Sequence, residues 1–226
     1  MKILITRPEP EASVLAHSLR AEGHEVVVLP LLQIQLLAKS EVPVLGEKLI
    51  FVSKNAVCGF QYWALCQGKT LFAMGPGTAG LLRERGLEVV YPQTAGGTEA
   101  LLSMPDLQDL RGQKWTVIAG RPGRPDLQLA LQARGAEVHC HEVYVTRRIP
   151  LDAGQRQQLQ DQYDLVIITS LDALRYACES GLRSDLKISI LSQNMLKYAE
   201  SHGFQQFLKL DLGDQAEICI KIKESQ

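Results

Sequence analysis

Short apolar runs alternate with segments of helical periodicity along most of the chain. Residues 3–5 form the first run, which ends in a Thr-Arg-Pro turn. Apolar side chains then recur three and four positions apart between residues 9 and 21, which predicts an amphipathic helix that ends near Gly23. The same alternation predicts strands at residues 26–29, 49–52, 70–74, 88–91, 114–119, 137–141, 165–169, 187–191 and 205–210.

Several predicted strands are continuously apolar, such as Ile-Leu-Ile at residues 3–5 and Leu-Val-Ile-Ile at residues 165–168. A strand of this kind is buried on both faces, as in a parallel sheet that is covered by helices on each side. The alternation of strands with helices indicates the same class. The sequence therefore predicts an α/β fold built on parallel sheets.

Two stretches of the chain repeat at a fixed distance. Phe51-Val-Ser-Lys-Asn-Ala-Val57 matches Ile168-Thr-Ser-Leu-Asp-Ala-Leu174 at an offset of 117 residues, and the same offset carries Gly86 onto Gly203. This pattern predicts a duplication into two similar α/β halves. The alternative is that any two α/β units resemble each other at this level.

Two long connections, at residues 31–48 and 142–163, interrupt the otherwise short ones. Both are interpreted as crossings between domains. If the chain crosses twice, the first strand–helix–strand unit belongs with the C-terminal half. We therefore expect one discontinuous domain of residues 1–35 and 147–226, and a second domain of residues 36–146.

The composition argues against several classes of protein. The 226 residues include 24 Lys and Arg against 25 Asp and Glu, so no basic excess favours nucleic acid as the main partner. The sequence contains no run of about 18 apolar residues, so it predicts no membrane span. The first apolar run is too short for a signal-peptide core. We therefore expect a cytoplasmic protein. Five scattered cysteines indicate reduced thiols rather than disulfides or structural zinc.

Two motifs could indicate a cofactor or a metal. Gly75-Pro-Gly-Thr-Ala-Gly80 has the spacing of a dinucleotide-binding turn. However, no acidic residue ends the following strand to hold a ribose, and Pro76 removes a backbone N–H from the turn. His139 and His141 share one face of a strand but lack a third ligand in the sequence pattern. We expect no cofactor and no metal.

Polar residues cluster where predicted strands end. In open parallel sheets ligands bind at the carboxyl edge, where helix N-termini favour anions. The pattern predicts a polyanion-binding cleft between the two domains. The alternative for any single Ser, Thr, Asn or Asp is simple helix capping. The cluster comprises Thr6-Arg7, Ser53-Lys54-Asn55, Thr78, Gly96-Gly97-Thr98, Arg121, Ser170 and Ser192-Gln193-Asn194.

Five motifs in order resemble the uroporphyrinogen-III synthase family. They are Ile5-Thr-Arg-Pro8, Phe51-Val-Ser-Lys-Asn-Ala-Val57, Gly75-Pro-Gly-Thr-Ala79, Val143-Tyr-Val-Thr146 and Ile168-Thr-Ser170. The resemblance covers residues 1 to about 210. It implies two similar flavodoxin-like domains with parallel sheets, joined by a two-stranded connector.

The resemblance also implies an activity. The family's enzymes close hydroxymethylbilane, a linear tetrapyrrole with eight carboxylates, into uroporphyrinogen III. They invert the last pyrrole, release water, and use neither cofactor nor metal. We accordingly expect a monomer whose partner is this small-molecule substrate, with a hand-over from the enzyme that makes hydroxymethylbilane.

The family's best candidate for a catalytic acid matches Tyr144, whose alternative role is that of a packed connector residue. Where many relatives carry Gly-x-Thr-Ala, this chain has Ser192-Gln-Asn-Met195. A non-catalytic two-lobed anion-binding or sensor protein is the alternative function. The predicted substrate-binding residues are Arg7, Ser53, Lys54, Thr78, Gly97, Thr98, Arg121, Ser170, Ser192 and Asn194.

Overall fold

The computed structural model describes residues 1–38, 42–93, 97–121, 123–210 and 215–225. The chain divides into two compact units. Unit 1 comprises Met1–Gln33 with Arg147–Gln226, and unit 2 comprises Ile34–Thr146. Each unit combines helices with a sheet whose strands are mainly parallel, which confirms the predicted α/β class.

The described strands are β1 (Lys2–Ile5), β2 (Glu25–Val28), β3 (Leu32–Leu36), β4 (Lys48–Phe51), β5 (Thr70–Ala73), β6 (Lys114–Arg121), β7 (Glu137–Arg148), β8 (Leu165–Ile167), β9 (Ile188–Ile190) and β10 (Phe207–Lys209). The described α-helices are α1 (Glu11–Ala21), α2 (Lys54–Gly59), α3 (Pro76–Arg83), α4 (Gly97–Leu102), α5 (Pro125–Ala133), α6 (Ala153–Leu159), α7 (Leu171–Glu179), α8 (Gln193–Ser201) and α9 (Gln215–Glu224). Short 3₁₀ helices lie at Trp63–Cys66 and Pro105–Leu107.

Within the described ranges, each sheet has five strands. One has the order β10-β9-β8-β1-β2 and the other has the order β3-β7-β6-β4-β5. In unit 1, alternate residues of β1 serve opposite faces: Ile3 and Ile5 pack with Leu15 and Leu19 of α1, whereas Leu4 packs with the apolar group that includes Leu174 of α7. This burial on both faces explains why the strand is continuously apolar.

The core of unit 2 is rich in aromatic residues. Phe51, Phe60 and Trp63 pack together, with Phe51 stacked on Trp63 at a centroid distance of 5.7 Å. Trp115 of β6 is fully buried and contacts Phe72 of β5. These rings belong to one apolar core that includes residues of β4, β5 and β6. The core therefore fixes the positions of the residues that follow those strands.

Two predicted strands differ clearly from the structure, and one strand was not predicted. Residues 88–91 contribute a single bridge, between Val90 and Phe72. Pro92 follows and has no backbone N–H with which to extend the pairing. The strand β3 was not predicted, since its Gln residues interrupt the apolar run. The strand β7 extends seven residues beyond the predicted end at His141, because its polar side chains are compatible with a half-exposed strand.

Candidate functional site

Ser53 and Lys54 follow β4 and begin the helix α2. Ser53 has an extended backbone, and its Oγ accepts a hydrogen bond from Ala56 N at 3.1 Å, which makes it the N-cap. Lys54 reaches across to the first turn of α3, where a Cβ added to Gly77 would lie 2.8 Å from Lys54 Cε. The structure therefore brings this lysine to the turn that carries Thr78, itself 7% exposed.

Tyr144 reaches the same region from β7. The register between β6 and β7 shifts by one residue, because Ala119 pairs with Glu142 and Gly120 pairs with Tyr144. Val143 is the extra residue, and a bulge of this kind redirects the side chains that follow it. The Tyr144 ring lies directly over Gly120, where a Cβ would come within 2.6 Å of the ring carbon Cζ.

The Tyr144 hydroxyl lies 3.1 Å from Ser53 Oγ, although the two residues are 91 positions apart. A close approach of α2 to β7 makes this contact possible. At the end of α2, a Cβ on Gly59 would lie 2.6 Å from the Val143 carbonyl oxygen, so only a glycine allows the two backbones to meet. The structure thus joins two of the predicted site residues in a single hydrogen bond.

Arg121 ends β6 and is already paired. Its Nε donates to Glu142 Oε2 at 2.7 Å, with the arginine side chain 60% exposed and the glutamate 29% exposed. The remaining guanidinium N–H groups can still bind a ligand carboxylate, but that carboxylate competes with Glu142 for the cation. The pattern of strand ends predicted Arg121 as a binding residue and gave no sign of its partner Glu142.

Gly97 and Thr98 begin α4, and Gly97 has a φ of +57°. Gly96, which belongs to the same predicted cluster, lies outside the described residues. The role of Gly97 and Thr98 in binding stays a prediction.

The other predicted residues lie in unit 1, at the carboxyl ends of β1, β8 and β9. Ser170 caps α7 by accepting from Ala173 N at 3.2 Å, and Ser192 caps α8 by accepting from Met195 N at 3.3 Å. Asn194 is exposed in the first turn of α8, and Arg7 is half-buried after β1. The three predicted serines therefore all act as N-caps, as the alternative interpretation expected, and the hydroxyl protons of Ser170 and Ser192 remain able to meet a ligand.

The described residues offer no metal-binding group of three or more His, Cys, Asp or Glu side chains. His139 contacts Glu137 at 3.1 Å. His141 instead packs edge-on against Phe60 and Tyr62, and burial lowers the pKa of its imidazole. No helix in the described part of the chain is long and apolar enough to cross a membrane.

Gly120 and Gly59 were not predicted as site residues. A glycine in a strand can signal a close approach of another backbone or side chain, and Gly120 stands in an apolar strand. That signal alone does not identify the partner, since the partner is chosen by the register of β7.

Comparisons with known proteins agree with one another. A family model described as uroporphyrinogen-III synthase HemD matches residues 13–207. A uroporphyrinogen-III synthase from Escherichia coli K12 is 30% identical, with 95% of this chain and 96% of that protein covered. One from Salmonella typhimurium LT2 is 34% identical over 160 residues, which is 64% of each chain.

Solved structures share the fold at lower identity. Uroporphyrinogen-III synthetase from Helicobacter pylori 26695 superposes with a TM-score of 0.70, at 15% identity, over 99% of this chain and 98% of that one. A mutant uroporphyrinogen III synthase from the extremely thermophilic bacterium Thermus thermophilus gives 0.62 at 15% identity, over the whole of both chains.

Proposed function

The chain belongs to the uroporphyrinogen-III synthase family, and from that premise we propose how its residues carry out the family's reaction. The enzyme converts hydroxymethylbilane into uroporphyrinogen III, with inversion of the last pyrrole ring and loss of water, in tetrapyrrole biosynthesis. The observation that carries the proposed chemistry is the hydroxyl pair of Tyr144 and Ser53, 3.1 Å apart beside the ends of β4 and β6.

The reaction begins when the hydroxymethyl C–O bond of the substrate breaks. The adjacent pyrrole is electron-rich and supplies the electron pair that expels the oxygen, so the protein needs only to donate a proton to the departing hydroxide. Tyr144 is the proposed donor. A phenol O–H can act as a general acid by transferring its proton to the leaving group.

The harder task is geometric. The cation that remains must be attacked by the substituted α-carbon of the last pyrrole, which forms a spiro intermediate, rather than by the free α-carbon on the other side of that ring's nitrogen. Holding the chain in a folded conformation supplies this selectivity. A proton is lost when the rearranged ring regains aromaticity, and the Tyr144 phenolate recovers one, which closes the cycle.

Substrate carboxylates need donors spread over a wide surface. In unit 2 we assign this role to Lys54, Thr78, Gly97, Thr98 and Arg121. In unit 1 we assign it to Arg7, Ser170, Ser192 and Asn194. Backbone N–H groups, hydroxyls and a few cations can hold several carboxylates without a dense cluster of arginines. This distribution is consistent with a net charge of -1.

The finer architecture is part of the same proposal. We assign residues 1–35 and 147–226 to one flavodoxin-like domain and residues 36–146 to the other, with β3 and β7 as a two-stranded connector. The order β2-β1-β8-β9-β10 supports this assignment, because it is the 2-1-3-4-5 order of a flavodoxin-like sheet. A monomer, and a hand-over from the enzyme that makes hydroxymethylbilane, complete the proposal.

One experiment tests the activity. Purified protein is incubated with freshly made hydroxymethylbilane, and the type I and type III products are separated after oxidation. We expect the type III isomer to dominate and its share to rise with enzyme concentration. Type I product alone, as free hydroxymethylbilane gives by itself, would instead support the alternative of a non-catalytic anion-binding protein.

A further inference from the structure

The surroundings of Ser53 indicate where its hydroxyl proton points. A serine hydroxyl has two lone pairs and a single proton. Ala56 N donates to Ser53 Oγ, which occupies one lone pair and leaves the hydroxyl proton unassigned. The Tyr144 hydroxyl oxygen lies 3.1 Å from the same Oγ. The serine proton can therefore point at the phenol oxygen.

The direction of this hydrogen bond matters for proton donation. If the tyrosine donated to the serine, its proton would be occupied when the substrate arrives. If the serine donates, the phenol proton is free for the departing hydroxide. Hydrogen bonds in a chain strengthen one another, so the bond from the Ala56 amide makes the serine O–H a better donor.

Ring packing fixes the phenol in the matching position. The Tyr144 ring is partly buried against the core of unit 2 and lies over Gly120. Because the ring cannot move toward β6 without meeting its backbone, the phenol oxygen stays near Ser53. Packing of the ring and the hydrogen bond with Ser53 together fix the position of the Tyr144 hydroxyl.

We propose that Ser53 is a positioning residue for Tyr144: it donates to the phenol oxygen, leaves the phenol proton free for the substrate, and stabilises the phenolate that forms. This inference rests on the proposed role of Tyr144 as proton donor. It replaces the expectation that Ser53 binds a substrate carboxylate, and it gives the serine a role in the chemical step rather than in affinity.

The test is a double-mutant cycle measured on the full chain. Ser53→Ala, Tyr144→Phe and the double variant are compared with the unmodified protein for kcat, KM and product isomer. If Ser53 acts through Tyr144, Ser53→Ala lowers kcat about tenfold when Tyr144 is present, with KM unchanged within about twofold. When Tyr144→Phe is already in place, the same serine substitution changes kcat by less than about twofold.

Two further variants separate donation from helix capping. Ser53→Asp keeps an excellent N-cap acceptor but has no proton to give, so we expect α2 to stay capped while kcat falls as in Ser53→Ala. Ser53→Thr keeps both functions and restores kcat. The matched control is Asp152→Ala, which removes the N-cap of α6 and leaves kcat unchanged.

Each other outcome contradicts the inference in its own way. An equal loss of kcat from Ser53→Ala with and without Tyr144→Phe, or a rise in KM alone, means that Ser53 contacts the substrate itself. Full kcat in Ser53→Asp means that only the helix cap matters. Full kcat in Tyr144→Phe overturns the proton-donor role as well, so failure of that proposal is distinguishable from failure of this one.

Discussion

At the scale of single residues, the proposal gives proton donation to one side chain and the binding of substrate carboxylates to several others. Tyr144 is set apart by its surroundings, because the Ser53 hydroxyl and Gly120 fix its ring beside the ends of β4 and β6. Arg121 differs, since its side chain is largely exposed and forms an ion pair with Glu142. The two residues should therefore respond differently to substitution, one in turnover and the other in affinity.

Replacing Tyr144 with Phe removes only the O–H and keeps the ring over Gly120. General acid catalysis contributes about 10²–10⁴-fold. Because this leaving group departs readily, we expect a loss of kcat at the low end, about 10–100-fold, with KM little changed. Slower turnover should also let type I product accumulate. Steady-state kinetics with product separation measures both effects. Full kcat in a correctly folded variant would assign Tyr144 to packing alone.

Arg121 and Glu142 should act in opposite directions on KM. Removing the guanidinium in Arg121→Ala takes away a charge-assisted contact, so we expect KM to rise about 3–10-fold with kcat preserved. Glu142→Gln removes the competing carboxylate, so KM should fall. The control is Arg111→Ala, which breaks an exposed ion pair with Asp109 elsewhere in unit 2 and should leave KM unchanged. A KM that stays constant in Arg121→Ala would exclude this arginine from binding.

At the scale of elements, the shift in register between β6 and β7 decides what Tyr144 contacts. Before the shift, Ala119 pairs with Glu142. After it, Gly120 pairs with Tyr144, and Val143 has no counterpart on β6. Without the extra residue, the side chains beyond it would point to the opposite faces of the sheet. The bulge therefore determines that Tyr144, rather than a neighbour, meets the end of β4.

Gly120→Ala tests the space that this element arrangement requires. The added methyl group meets the Tyr144 ring, so we expect the ring to move and kcat to fall about tenfold or more, with a loss of stability of about 1–3 kcal/mol from overpacking. Kinetics and thermal unfolding measure the two effects.

Gly80→Ala is the matched control for that experiment. A Cβ there has nothing within 4 Å, and Gly80 lies inside α3. The substitution should raise stability by about 0.5–1 kcal/mol and leave kcat unchanged. Wild-type kinetics in Gly120→Ala would show that the ring position does not limit the reaction.

At the scale of the whole molecule, the two units repeat one plan. The strand order β9-β8-β1-β2 in one sheet matches β5-β4-β6-β7 in the other. The cap of α2 at Ser53 matches the cap of α7 at Ser170 at the repeat offset of 117 residues. Gly86 and Gly203, at the same offset, have φ values of +75° and +85°. These correspondences support duplication of an α/β unit.

The free energy of unfolding should fall at alkaline pH. Burial raises the pKa of the Cys66 thiol to about 11, above its ordinary value of 9.0, despite the opposing charge of Lys69. The folded state therefore keeps its proton where the unfolded state loses it. The associated stability is fully present below pH 9 and is lost as the pH rises toward 11, by up to about 1.4 kcal/mol per pH unit for one such group.

Urea unfolding at about pH 8 and about pH 10.5, on either side of the ordinary thiol pKa, measures this loss. Cys66→Ala should show a smaller loss between the two pH values than the unmodified protein, and Cys58→Ala, which removes an exposed thiol, should not. The comparison uses differences between pH values, so any packing cost of Cys66→Ala at neutral pH cancels. Equal losses in Cys66→Ala and the unmodified protein would contradict the role of this thiol.

The sequence by itself determined the features that depend on neighbours along the chain. Apolar runs predicted most strands, because a strand that is buried on both faces must be apolar throughout. Ser53, Ser170 and Ser192 stood where helices begin, and the structure has all three as N-caps. The carboxyl ends of the strands, and with them the candidate residues, followed from the same local pattern.

Only the tertiary structure decided which of those residues meet. The contact between Ser53 and Tyr144 joins positions 91 residues apart, and the pairing of Arg121 with Glu142 depends on the register of β6 and β7. A register is fixed by the packing of a whole sheet, so no local periodicity contains it. For the same reason the sequence did not show why residue 120 is a glycine. The absence of a side chain there matters only because the Tyr144 ring occupies the space.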